Sequence, residues 1–249
     1  MIQRLRNQLS GARGNEAGYG LPELLVAMVL FSILAVLITT SFSSFTTTLT
    51  RDRVATANTN VAAVGMDELT RVIRSATTIP VLNGEDLPAF AYANKEKITL
   101  YAYIDTSSGT PAPVKVTFEV KTYTPPSGVA EARVLTETRW TASHPAGAPL
   151  YWEFVGAPSE RVIARQIVEQ TGTEPFLFNY QEINATTLLP ADIAIPGTGI
   201  AAANLKKIAV VEVTIKVQTD TAVPARSAPV AITNQVGIPN LGVSRLSLS

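Results

Sequence analysis

From Leu24 to Thr50 the chain carries no charged residue, a run of 27 positions in a sequence of 249. A helix crosses the hydrocarbon core of a bilayer with about 20 predominantly apolar residues, so this run is long enough to span one. Its first part, Leu24–Ile38, is densely aliphatic. Its second part, Thr39–Thr50, holds nine Ser and Thr residues, with Phe42, Phe45 and Leu49 spaced by three and four so that they share one helical face. Serine and threonine survive in such a helix because their hydroxyls bond back to the carbonyl one turn earlier. Arg4, Arg6 and Arg13 precede the run and a long polar chain comes after it. That asymmetry predicts the amino end inside and the bulk of the chain outside. Glu23 stands at the entrance of the run, although a carboxylate at a bilayer centre costs about 2.5–3.5 kcal/mol and less near the interface.

The helical pattern continues past Arg51. Val54, Val61, Val64, Leu69, Val72, Ile73 and Ala76 keep roughly helical spacing, while Arg51, Arg53, Asp67, Glu68, Arg71 and Arg74 fill other faces. Thr78-Ile79-Pro80 supplies a stop, because the residue before a proline leaves the α region. The reading is one helix of about 55 residues, greasy in its first half and one-sided in its second.

Beyond Pro80 the signals turn to β. Alternation predicts strands at Lys97–Ile104, Val114–Tyr123 and Glu131–Trp140, separated by the turn-rich "DTSSGTPAP" and "TPPSG". Val114, Val116, Phe118 and Val120 fall on one face and Lys115, Thr117, Glu119 and Lys121 on the other, as in an antiparallel meander with one solvated face. Further strands are expected at Leu150–Val155, Phe176–Gln181 and Ile208–Gln218, with an edge strand in the tail after Pro229. Glu160–Glu169 fits either period.

Composition closes several routes to chemistry. With no cysteine, neither a disulfide framework nor a thiolate metal site is possible, and the single histidine, His144, lies in the loop-like "TASHPAGAP". The basic residues are balanced by equal numbers of acids and form no stripe, so no dedicated nucleic-acid site is expected. Glycine-rich phosphate loops and nucleophile elbows are missing, and Glu85, Asp86, Glu119, Glu131 and Glu137 read as carboxylates on loops or solvated strand faces. "DTSSG" lacks the spacing of a calcium loop and reads as a turn. The expectation is a protein that is not an enzyme and binds no cofactor or metal.

The stretch Gly18-Tyr19-Gly20-Leu21-Pro22-Glu23-Leu24-Leu25-Val26 resembles the type IV prepilin signal, in which a glycine precedes a bulky residue, then three residues, a glutamate and a long apolar helix. "DELTRVIRSATTI", "FLFNYQE", "LKKIAVVEVTIKVQTDT" and "VGIPN" resemble, more weakly, the W-type minor pilins and the J-class minor pseudopilins of type II secretion. Pro22 and Tyr19 depart from the commoner aliphatic and phenylalanine, and Pro239 stands where that group usually has arginine. A proline in the first turn removes no intrahelical bond.

The resemblance implies an α+β, type IV pilin-like fold: a long N-terminal helix packed on an antiparallel β head. Its parts would be a leader at 1–18, a transmembrane and filament-core helix at 19–45, an amphipathic continuation at 46–79 and a β-rich head at 80–249. It implies cleavage between Gly18 and Tyr19 by a prepilin peptidase, with Tyr19 open to N-methylation. Loss of the leader would take the formal net charge from zero to −2. It also implies partners: other pilins or pseudopilins through the N-terminal helix, an inner-membrane assembly platform, and the bilayer before assembly. The precursor would sit in the inner membrane, amino end inside and head extracytoplasmic, and would reach the cell surface in a filament.

Glu23 then has a physical role, because the cut creates an amine near it that another subunit's carboxylate could neutralise in an apolar packing. The alternatives are a carboxylate lying at headgroup level, a filament-tip binding or adhesion module, and a signal-anchored extracytoplasmic protein unrelated to pili. An ordinary secretory signal would be cut after the apolar run at a small-residue site, whereas here Ser, Thr and Phe come next.

Overall fold

The computed structural model describes residues 20–82, 84–105, 112–123, 132–170, 172, 174–184, 186–219 and 228–239. The leader, Gly18, Tyr19, Glu131 and most of "DTSSG" and "TPPSG" lie outside them. The chain divides into two compact units at Thr50/Arg51.

One helix, α1, runs Leu21–Arg74, 54 residues. In its second half the buried positions are Asn58, Ala62, Gly65, Met66, Leu69, Val72 and Ile73. This corrects the stripe read from the sequence at one point: Val64 is 66% exposed and its neighbour Gly65 is buried. The reason is close approach. A Cβ on Gly65 would lie 3.2 Å from the Ala164 Cβ and 3.3 Å from the Ile215 Cδ1, so a side chain there would have to push sheet atoms aside. The buried Asn58 accepts a hydrogen bond from the Thr219 hydroxyl at its Oδ1. The helix also stops earlier than Pro80 requires. Its last turn tightens through Ser75 N–H to Val72 and Ala76 N–H to Ile73, both 3.1 Å, and Thr77 N–H then turns to the Tyr101 carbonyl at 2.9 Å.

Among the described residues the β structure forms two antiparallel sheets. The first is a meander in the order β1 (Phe90–Ala93), β2 (Lys97–Asp105), β3 (Ala112–Tyr123), β4 (Ala132–Thr141), β5 (Ser159–Arg165). The second has the order β7 (Pro190–Asp192), β6 (Phe178–Ile183), β8 (Val210–Val217), β9 (Val230–Gly237), with a short helix α2 (Ala202–Leu205) before β8. They meet where Ile167 bridges Val217 and Val168 N–H bonds the Lys216 carbonyl at 2.9 Å. Long apolar helix and antiparallel sheets together make the α+β arrangement expected from the sequence.

The expected alternation of β3 holds: Val116 and Phe118 are fully buried, while Lys115, Glu119 and Lys121 stay partly exposed. On that outer face Thr117 is tucked against Thr99, their hydroxyls 2.8 Å apart. Of Glu160–Glu169, the part up to Arg165 belongs to strand β5, whose Ala164 lies under Gly65, and the chain leaves the strand at Gln166, which sits at φ 59°. The tail supplies the edge strand β9.

Leu150–Val155 is not a strand. Only the Ser143–Glu153 bridge is formed there, within a segment interrupted by Pro145, Pro149 and Gly147, which sits at φ 75°. Its aromatics cap instead: the Phe154 ring lies 5.0 Å from that of Tyr101, and Trp152 stacks on His144 at 3.9 Å. His144 is exposed, with Nδ1–H donating to the Tyr151 carbonyl at 2.8 Å.

Candidate functional site

The apolar half of α1 begins at Gly20, whose carbonyl accepts from Glu23 N–H at 2.8 Å and Leu24 N–H at 3.2 Å. Gly20 therefore occupies the cap, and Leu21, Pro22 and Glu23 form the first turn. Pro22 sits where no N–H is needed, as the sequence suggested. Glu23 lies at the positive end of the helix dipole, which favours a carboxylate. It is exposed, and among the described residues it has no ionic partner.

Beyond Glu23 the apolar surface of the helix is bare. Sixteen large apolar side chains between Leu21 and Leu49 are exposed, Phe31 at 72% and Phe42 at 70% among them. Fully hiding each would gain about 1.5 kcal/mol or more, roughly 25 kcal/mol in all, against the 5–15 kcal/mol that holds a whole domain. Such a surface is a lipid surface or an interface between chains. The hydroxyl-rich second part stays helical as expected: Thr39, Thr40, Thr46, Thr47, Thr48 and Thr50 each donate to the carbonyl four residues earlier, at 2.8–3.1 Å. With those groups satisfied, α1 is the one helix among the described residues long and apolar enough to cross a membrane.

A second cluster was not legible in the sequence. Glu137, read there as part of a solvated strand face, is fully buried. It faces α1 because the register sets it opposite Phe118 on the core side of the sheet. Arg139 Nε donates to its Oε1 at 2.6 Å and Arg161 Nε to its Oε2 at 2.5 Å. The same two guanidiniums reach Glu68 Oε1 on α1 through their Nη2 atoms at 2.7 and 2.6 Å, and Arg71 holds Glu68 from one turn further on at 2.7 Å. Two carboxylates and three arginines thus tie the one-sided half of the helix to β4 and β5.

Burial raises the Glu68 carboxyl, but the hydrogen bond and charge of Arg71, with the charges of Arg161 and Arg139, outweigh it and hold the group below the usual carboxylate range. Glu85, Asp86 and Glu119 behave as read: Glu119 lies half-exposed against Lys97, Glu85 is exposed against Lys206, and Asp86 is exposed.

The model of the prokaryotic N-terminal methylation motif matches residues 13–39. The match spans Gly18, Tyr19, Glu23 and the aliphatic start of α1, and supports a type IV pilin-like protein, structural in character and anchored by its apolar helix. Such a motif implies processing by a prepilin peptidase and assembly with other pilins. No curated protein matches the chain.

Proposed function

We propose that the chain is a minor pilin or pseudopilin, cut between Gly18 and Tyr19 and assembled through α1 into a type IV pilus or a related filament. The observation that carries this reading is the apolar half of α1, its large side chains exposed and headed by one carboxylate without an ionic partner among the described residues. Before assembly the bilayer covers that surface, with the amino end inside and the head outside; in the filament, neighbouring helices replace the lipid.

Cleavage creates an amine at Tyr19, about 6 Å of helix rise from Glu23. Within one helix that separation runs along the axis, whereas between chains offset along a filament the amine of one subunit meets the carboxylate of the next. In an apolar packing each charge is costly alone and tolerable together, so the pair sets the stagger. Gly18 leaves the scissile carbonyl open, because it has no side chain to shield it. N-methylation of Tyr19 retains the positive charge that the pairing uses.

The test is Glu23→Ala expressed in place of the native chain. The variant is expected to be processed and membrane-bound yet depleted at least tenfold from sheared filaments. Incorporation at the native level would refute the pairing role.

A further inference from the structure

Asn184-Ala185-Thr186 is the only place in the chain where an asparagine stands two residues before a serine or threonine with no proline between them. Such a triplet is the acceptor pattern for N-linked sugar, and it serves as one on surface loops of exported proteins. The turn between β6 and β7 is such a surface: Asn184, Thr186, Thr187, Leu188 and Leu189 are all exposed. Near its end β6 sets Gln181 beside Val210 at the start of β8, whereas β8 runs on toward Thr219, which reaches Asn58 of α1. The turn therefore projects from the end of the head that lies away from Asn58.

Hydrogen bonds fix this turn and leave the acceptor groups open. Asn184 N–H donates to the Leu189 carbonyl at 3.0 Å, and Leu188 N–H donates to the Asn184 carbonyl at 2.8 Å. The Asn184 side chain closes an Asx turn, its Oδ1 accepting from Thr186 N–H at 2.9 Å and Thr187 N–H at 3.1 Å. A carboxamide has one acceptor oxygen and one NH2 donor, so the turn uses the oxygen and spares the nitrogen. Among the described residues nothing accepts from Asn184 Nδ2, and nothing bonds the Thr186 hydroxyl. The same turn holds Leu188 at φ 56°, which costs a residue with a side chain roughly 1–2 kcal/mol. It also leaves Leu188 and Leu189 61% and 64% exposed.

We propose that Asn184 carries an N-linked oligosaccharide. The donor is an oligosaccharide on a polyprenyl diphosphate, and a membrane-bound transferase supplies the catalysis. Asn184 Nδ2 attacks the anomeric carbon of the sugar. The bond from that carbon to the diphosphate oxygen breaks, one Nδ2 proton passes to a base of the transferase, and polyprenyl diphosphate leaves. The chain itself contributes the nucleophile and its presentation. Thr186 is the recognition residue, because its hydroxyl is free for the enzyme to bond. Glu182, two residues before Asn184 and 3.8 Å from Lys207, gives the enzyme a charged group beside the acceptor. Once attached, the sugar replaces water over the two exposed leucines, with its C–H faces against their side chains. The proposal rests on the head lying outside the membrane, as in the function proposed above, and not on assembly.

The test is mass spectrometry of the full chain purified from membranes of its native host, with fragmentation that leaves side-chain modifications in place. The peptide that contains Asn184 is expected to carry a sugar mass located on Asn184. Thr186→Val is expected to lower its occupancy at least tenfold, and Thr186→Ser, which restores a hydroxyl, to keep most of it. Because no described bond uses the Thr186 hydroxyl, Thr186→Val should leave the circular dichroism spectrum unchanged. An unmodified Asn184 in the native chain, a sugar on Thr186 or Thr187 instead, or the same occupancy in Thr186→Val as in the native chain or in Thr186→Ser would each overturn the proposal. The same spectra separate it from the cleavage reading. A chain that begins at Tyr19 with Asn184 unmodified refutes the glycan alone, and a glycan on a chain that keeps its first 18 residues supports the glycan and refutes the cleavage.

Discussion

Replacing Glu137 with alanine should be among the most damaging single changes in the β head. The side chain is fully buried and accepts charge-assisted bonds from Arg139 at 2.6 Å and Arg161 at 2.5 Å. Removing one partner of a buried ion pair costs about 3–5 kcal/mol, because the charge left behind has neither its partner nor full access to water. Here the arginine side chains are 29% and 54% exposed and still hold Glu68, so both can lean toward water. That places the cost at the lower end, about 3 kcal/mol. At roughly 2–4 °C per kcal/mol for a chain of this size, the melting temperature should fall by about 6–12 °C.

The assay is thermal unfolding in micelles read by near-ultraviolet circular dichroism, where Trp140 and Trp152 report the head rather than the apolar helix. Glu160→Ala is the matched control. Its pair with Lys121 has side chains 48% and 38% exposed, and its loss should move the transition by less than about 0.5 kcal/mol. If Glu137→Ala melts with Glu160→Ala, within 2 °C of the native chain, the network does not hold the helix to the sheet as described.

Two further outcomes rest on neighbouring contacts. Because the folded Glu68 carboxyl lies below its ordinary range, its contribution to stability is fully present above the unfolded carboxylate value, about 4.3, and fades as pH falls through the folded value. Denaturant titrations below pH 5 should therefore show a shallower loss of stability for Glu68→Gln than for the native chain, and parallel curves would contradict the assignment. Gly65→Val should cost more than about 2 kcal/mol in denaturant unfolding, since it adds three carbons where one already crowds Ala164 and Ile215.

The parts of this molecule that announce themselves in the sequence are those where the pattern is local. A charge-free run, a glutamate at its mouth and a glycine before it are neighbours in the chain, and strict alternation in Val114–Tyr123 needs only its own ten residues. What escaped depends on partners distant in sequence. Val64 and Gly65 offer a helix face equally well by periodicity; the choice falls to Gly65 because Ala164 and Ile215, about 100 and 150 residues away, come too close for a side chain. Glu137 alternates like a solvated carboxylate, and only the register with Phe118 and the arrival of Arg161 turn it inward. β1 and β7 are four and three residues long, too short to show a period. Leu150–Val155 has the apolar content of a strand, but Pro145, Gly147 and Pro149 just before it break the ladder and leave its aromatics to cap the sheet.

The central claim is that the chain is a precursor whose glutamate awaits an amine not yet made. Intact-mass and amino-terminal peptide analysis of the protein purified from membranes tests it directly. The account predicts a chain beginning at Tyr19, shifted by one methyl group where the amine is modified, and an uncut chain beginning at Met1 for Gly18→Leu. A native chain that begins beyond Thr39, or that retains its first 18 residues in a host with an active prepilin peptidase, would contradict it.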